Sequence, residues 1–257
     1  MSPIDSLRES NSKVMKKVFL VILSLFFLQS TSTIAQRRER VTQLPNYDKK
    51  LISFAYYLGF NKKGFKIRYN DSPSTMNATE NLITVEETTG FNIGLVVNLR
   101  LHKNIDLRFE PGLSSNTKRL TFNNQPMIPD TDNAKIRDVP ATYLRMPLVF
   151  KFSTDRLDNM KAFVLGGASY DYNFSSNQKN SKDNADGQFR MKTHNFMYEL
   201  GLGVDLYLPY FKFSPSIRGI FAMNNEIVLD NNGLASPWTG PIDYFGTRGI
   251  FINFTFQ

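Results

Sequence analysis

The chain of 257 residues has no cysteine, one tryptophan and two histidines. Without cysteine there is no disulfide framework, no thiolate zinc or iron–sulfur centre and no lipidated N-terminal cysteine. A thiol-free chain also suits passage through an oxidising compartment. Long apolar runs are missing too. After the N-terminus no segment reaches the ~18 consecutive apolar residues that a membrane-spanning helix needs. A hydrophobic content of 41% resembles that of a soluble protein. A transmembrane barrel has the same average, because only every second strand residue meets lipid. The charge is +8, and the scarcity of histidine limits acid–base chemistry to few positions.

The first feature present is an address. Lys16 and Lys17 precede an apolar run from Val18 to Leu28, broken only by Ser24, and Thr33-Ile34-Ala35 follows. A basic start, a short apolar stretch and small residues at −3 and −1 predict a secretory signal peptide over 1–35, cleaved between Ala35 and Gln36, with Met15 as the true start. Its loss removes Arg8, Lys13, Lys16 and Lys17 with Asp5 and Glu9, so the charge falls from +8 to +6. That surplus on an exported protein predicts no nucleic-acid partner.

Residues 36–50 are expected to form a periplasmic tail, and 51–257 a barrel. Alternation of period two runs through the latter. Phe91, Ile93, Leu95, Val97, Leu99 and Leu101 share one face, with Gly90, Asn92, Gly94, Asn98 and Arg100 on the other. Ile105 to Ser114 repeats the pattern after the turn His102-Lys103-Asn104. So do segments near 52–60, 143–152, 162–174, 196–208, 211–218 and 250–256. The 162–174 register is taken from its polar Ser169, Asp171 and Asn173, which put Val164, Ala168, Tyr170 and Tyr172 outside.

The expectation is an all-β, eight-stranded antiparallel transmembrane β-barrel, comparable in size to the OmpA and OmpX barrels. Short connectors (102–104, 154–160, Pro209-Tyr210) alternate with long polar ones (62–87, 115–140, 175–193, 222–246). That sorting predicts a bacterial outer-membrane protein with its long loops outside the cell. A soluble lipocalin-like barrel would reverse the faces. Here the apolar face has no charge at strand centres, where Arg or Lys would cost about 2–4 kcal/mol in lipid. Tyr69, Tyr170, Tyr172, Phe174 and Tyr244 at the loop end, and Phe150, Phe152, Tyr210, Phe211 and Phe256 at the turn end, are expected to form interfacial girdles.

Arg100, Arg108, Glu110, Arg145, Lys151, Glu199, Asp205, Lys212 and Arg218 face inward in this register. Buried charges must pair, so they predict a lumen charge network and a filled barrel, with a gated ion path as the sharper alternative. Lys62, Lys63, Lys66, Arg68, Lys118, Arg119, Arg190 and Lys192 are expected at the outer rim, able to meet lipopolysaccharide phosphates. His194 lies at the right level for a lipid-modifying rim enzyme, but no serine and acid are spaced to join it. His102 falls in a turn. Gly201-Leu202-Gly203 is read as relief of lumen crowding, not as a nucleotide loop. Asp130-Thr131-Asp132-Asn133 and Asp230-Asn231-Asn232-Gly233 lack full calcium-loop spacing. No catalytic residue, metal or cofactor is expected.

Asp106-Leu107-Arg108-Phe109-Glu110-Pro111-Gly112-Leu113, Tyr143-Leu144-Arg145-Met146-Pro147-Leu148 and Gly201-Leu202-Gly203-Val204-Asp205-Leu206-Tyr207-Leu208 resemble the outer-membrane β-barrel family common in Bacteroidota. Tyr57-Leu58-Gly59-Phe60-Asn61-Lys62-Lys63-Gly64-Phe65-Lys66-Ile67, with the later Glu-Pro-Gly-Leu, looks like the PorT family. The likeness spans about Leu51 to Gln257. It implies a part in the type IX secretion system, which exports proteins such as proteases and adhesins and serves gliding motility. Other secretion proteins and outer-membrane lipid would then be partners. The family offers no established catalytic residue to carry over. An eight-stranded lumen cannot pass folded cargo, so the expected role is a non-enzymatic accessory or assembly factor. The alternatives are a general barrel for envelope integrity or adhesion, and the rim enzyme.

Overall fold

The computed structural model describes residues 42–70, 83–123, 128, 131–180, 182, 187, 189–231, 233 and 236–257. The predicted signal peptide, the Ala35–Gln36 cleavage point and Asp130 lie outside them. Among the described residues no helix is long and apolar enough to cross a membrane. The architecture is one antiparallel sheet of ten strands. They are β1 (Ile52–Tyr69), β2 (Ile83–Glu87), β3 (Thr89–His102), β4 (Ile105–Phe109), β5 (Gly112–Phe122), β6 (Ile136–Ser153), β7 (Met160–Asn173), β8 (His194–Tyr207), β9 (Lys212–Ala222) and β10 (Ile242–Phe256). A 3-10 turn, Tyr47–Lys49, precedes β1, and a short helix α1, Asp132–Lys135, precedes β6.

Ten strands stand where eight were expected, and backbone chemistry explains the difference. Pro111 has no N–H to give to a ladder, which separates β4 from β5. The register does not slip there: Val97 faces Phe109 and Gly94 faces Gly112, spaced by three residues on both strands. Their other neighbour behaves alike, with Leu148 opposite Phe109 and Arg145 opposite Gly112. At Thr88 the register does shift by one, since Glu87 faces Lys118 while Phe91 faces Ser115. Asn116 Nδ2 donates to the Thr88 carbonyl at 2.8 Å, replacing a ladder bond at this bulge. β1 pairs with β10 on one side and β3 on the other.

The two faces have opposite chemistry. Phe54, Leu95, Leu200 and Leu202 stay 60% or more exposed, while Arg108, Glu110, Arg145, Glu199 and Asp205 are buried. Water would drive the reverse distribution; lipid outside and charge pairing inside account for it. In β7 the exposed Val164 and Ala168 oppose the buried Ser169, Asp171 and Asn173, as the polar pattern predicts. Inward Gly201 and Gly203 make room in β8. A Cβ on Gly203 would approach Phe163 Cζ to 2.5 Å, and one on Gly201 would approach Arg218 Cγ to 2.8 Å.

The outward apolar positions of β1 run from Ile52 to Phe60. At about 3.4 Å per residue and a tilt of ~40° they cover about 20 Å of height, close to the ~25 Å apolar band of such barrels. Beyond Phe60 the strand continues, but its chemistry inverts. Lys62, Lys66 and Arg68 face out, whereas Phe65 is buried with Leu120, Phe122, Val139, Phe189, Met191, Ile227, Ile242 and Phe245. Segments expected as polar loops, 62–87 and 115–140, therefore contain strand extensions around an apolar core. Tyr69 joins that cluster and accepts a hydrogen bond from Ile83 N–H at 3.1 Å. It is not a girdle residue, because it sits well past the apolar band.

Candidate functional site

Alternation sends charged side chains from β3, β6, β7, β8 and β9, and from the β4–β5 stretch, to the buried face of the sheet. Glu110 is the hub. It receives Arg218 in a two-toothed contact, one tooth at 3.1 Å, and Arg108 Nε lies 3.0 Å away. Arg218 also stands 3.6 Å from Glu199, whose other oxygen meets Arg145 at 3.3 Å. Arg145 then hydrogen-bonds Asp171 at 3.0 Å. Toward the turn end Lys151 donates to both Asp205 oxygens, at 2.8 and 2.6 Å, and Ser214 Oγ adds a third bond at 2.6 Å. Lys212 waits 3.9 Å from the same carboxylate. These side chains are nearly sealed from solvent. Arg108, Glu110, Arg145, Lys151, Glu199, Asp205 and Arg218 of the expected set thus lie in two connected clusters. Asp171 completes the first cluster through Arg145; the polar face of β7 carried that signal.

Arg100, at the turn end, belongs to a third cluster built on the segment before β1. Its Nη2 is 3.3 Å from Asp48 and its Nε 3.5 Å from Asp106. Asp48 also receives the Tyr207 hydroxyl at 2.7 Å and Lys161 at 3.1 Å. The Arg156 guanidinium lies 3.9 Å from the Tyr207 ring centre and donates to the Gln43 carbonyl. Burial alone would raise the Asp48 carboxyl, but the Tyr207 hydrogen bond and the Lys161 charge outweigh it and hold the group below its usual range. Burial pushes the Tyr47 hydroxyl up to about 12. Of residues 36–50, read from sequence as a tail, the described part, 42–50, caps the turn end.

At the loop end the rim assignment needs correction. Lys118 and Lys63 are buried, as is Arg190. Consecutive strand residues face opposite ways, so Lys62 and Lys63, or Lys118 and Arg119, cannot both be outside. Lys118 Nζ lies 3.8 Å from the Phe65 ring centre and donates to Thr247 Oγ1 at 3.4 Å; that hydroxyl donates to Glu226 at 2.7 Å. Arg190 binds the Leu229 carbonyl at 2.8 Å. Lys66, Arg68 and Arg119 do point outward, and Lys192 is half-buried.

His194 is exposed, its Nδ1 2.5 Å from the Tyr170 hydroxyl, between the rings of Tyr170 and Tyr172. That arrangement is an aromatic rim. Among the described residues no group of three His, Asp or Glu could hold a metal. Asp230 accepts from Ser236 Oγ in a loop turn.

An antiparallel sheet with an apolar exterior and a paired-charge interior defines an outer-membrane barrel protein. The chain belongs to the outer membrane protein beta-barrel domain family, whose model matches residues 34–228. Similar solved structures include Neisserial surface protein A, at 10% identity and TM-score 0.42, covering 80% of this chain and 98% of that one. OprG of Pseudomonas aeruginosa has 11% identity and TM-score 0.43, covering 79% and 94%. A search of the curated proteins found no match.

Proposed function

We propose that this protein is a closed, filled barrel of eight staves that serves type IX secretion and gliding motility as a non-enzymatic accessory component, working through its surfaces. Counting β2 with β3 and β4 with β5 turns ten strands into eight staves, and the β1–β3 pairing supports closure. Export by residues 1–35 and long connectors outside the cell are part of the reading. The observation that carries the filled lumen is the continuous Arg108–Glu110–Arg218–Glu199–Arg145–Asp171 chain. An eight-stave barrel is just wide enough for side chains to fill, and opening this one would strand several buried charges. The secretion role is supported by the PorT-like segments around Tyr57–Ile67 and Glu110–Leu113.

Deleting the gene and measuring secreted proteins in the medium tests the role. Loss of secretion, restored by the wild-type gene, is expected. Normal secretion would contradict it and leave a general envelope barrel. His194→Ala with unchanged envelope lipid is the expected result against a rim enzyme.

A further inference from the structure

The outward surface holds a second built feature where β1, β10, β9 and β8 leave the apolar band. Lys66, Arg68 and Arg248 lie with Tyr198, Phe221 and Tyr244 around a cleft of about 450 Å³. Pairing explains their meeting: Lys66 opposes Gly246, Arg68 opposes Tyr244, Arg248 opposes Phe221, and Phe221 opposes Tyr198. Gly246 gives the Tyr244 ring its seat in the wall. It has no side chain, and the Tyr244 ring occupies the space a Cβ would take, with ring atoms 2.7 and 2.8 Å from that position. The Tyr244 hydroxyl is tied to the Ala222 carbonyl at 3.0 Å, and the Tyr198 and Phe221 rings stack at 5.1 Å. The wall is therefore fixed in shape.

Charge at the cleft is unbalanced. Arg68 is paired with Asp243 at 2.7 Å. Lys66 and Arg248 have no ion-pair partner among the described residues, although other outward cations do: Lys62 meets Glu87 at 3.7 Å and Arg119 meets Asp138 at 2.8 Å. Directly below, Phe60, Ile250 and Leu200 are exposed apolar side chains of the lipid band. Unpaired cations above aromatics above an acyl-facing wall match an anionic amphiphile standing upright in the same leaflet.

We infer that this cleft binds the phosphorylated glucosamine headgroup of an outer-leaflet glycolipid, with Lys66 and Arg248 on a phosphate and the chains against Ile250 and Leu200. Charge-assisted hydrogen bonds to phosphate suit such a pair, and aromatics at the interface suit a sugar above acyl chains. The inference rests on the orientation proposed above, in which this end faces the outer leaflet.

The test uses the whole folded protein in neutral detergent micelles, where both rims are accessible. Native mass spectrometry would be run with phosphorylated lipid A, dephosphorylated lipid A, phosphatidylglycerol and inorganic phosphate. Retention of phosphorylated lipid A alone is expected. The double variant Lys66→Ala/Arg248→Ala should weaken it about tenfold, as loss of ~1.4 kcal/mol gives, while Arg119→Ala should not. Equal retention of dephosphorylated lipid A or phosphatidylglycerol would overturn the headgroup assignment. Retention of inorganic phosphate with equal affinity would reduce the site to an anion site and overturn it too. Binding unchanged in the double variant would overturn the cleft. Labelling of a cysteine placed at Asn231 in intact cells tests orientation separately. Failure to label with binding intact would reject the orientation while leaving the cleft's chemistry in place.

Discussion

Replacing Glu110 by Ala removes the hub between Arg108 and Arg218 and leaves both guanidiniums short of a carboxylate. Arg218 would keep only Glu199 at 3.6 Å, which Arg145 already uses. Removing one partner of a dry, buried ion pair costs about 3–5 kcal/mol. If water filled the lumen, the same pair would contribute about 0–1 kcal/mol, as at a surface. With a urea slope of about 2 kcal/mol per molar, a dry lumen predicts a midpoint lowered by about 2 M. The assay is reversible urea unfolding in lipid vesicles, followed by fluorescence of the single tryptophan, Trp238, and by a cold gel-mobility shift of the folded barrel. Replacing the triad together, Arg108→Leu with Glu110→Leu and Arg218→Met, should recover most of the loss, because no stranded charge remains on those positions. A Glu110→Ala midpoint within ~0.5 M of wild type would refute a dry, charge-closed interior.

Two further outcomes follow from the faces and the cap. Leu202→Arg puts a charge on the apolar exterior and should destabilise the barrel by about 2–4 kcal/mol in vesicles. Thr117→Arg, outward but beyond the band, should cost under ~1 kcal/mol; equal losses would contradict the placement of the band. The depressed Asp48 carboxyl contributes stability that is complete above its unfolded pKa of ~4 and lost as pH falls through its lower folded value. Hydrogen-exchange protection at Lys49 and Lys50 amides should hold at neutral pH, collapse in strong acid, and be weak at every pH in Asp48→Asn. Identical pH profiles for the two proteins would exclude Asp48 as the latch.

Much of this was legible in a period of two. The alternation in 90–101, 143–152 and 196–208 assigned faces that the structure keeps, since a single residue's slip would place every charge in lipid. Even the weak β7 segment was readable from Ser169, Asp171 and Asn173. Most of what stayed hidden follows from a change of solvent. Beyond Lys62 the outside is water, so the apolar face turns inward and Phe65, Leu120 and Phe122 become core. The outward apolar pattern that marks the lower strands is absent there. The same change of solvent misled the rim reading: clusters such as Lys118-Arg119 look like paired surface charge, yet alternation divides them. Arg248 is isolated in sequence; only the β1–β10 pairing brings it near Lys66. Asp48 lay in a segment without periodicity, where tertiary partners alone define the cap.

In the proposed filled barrel, ion pairs close the lumen to solute flow. Single-molecule conductance of the refolded protein in a planar lipid bilayer, at moderate voltage and high salt, tests this. A filled lumen predicts a flat trace after insertion, with insertion itself verified by protease protection of the barrel. Stable, large, uniform current steps from the wild-type protein would contradict it.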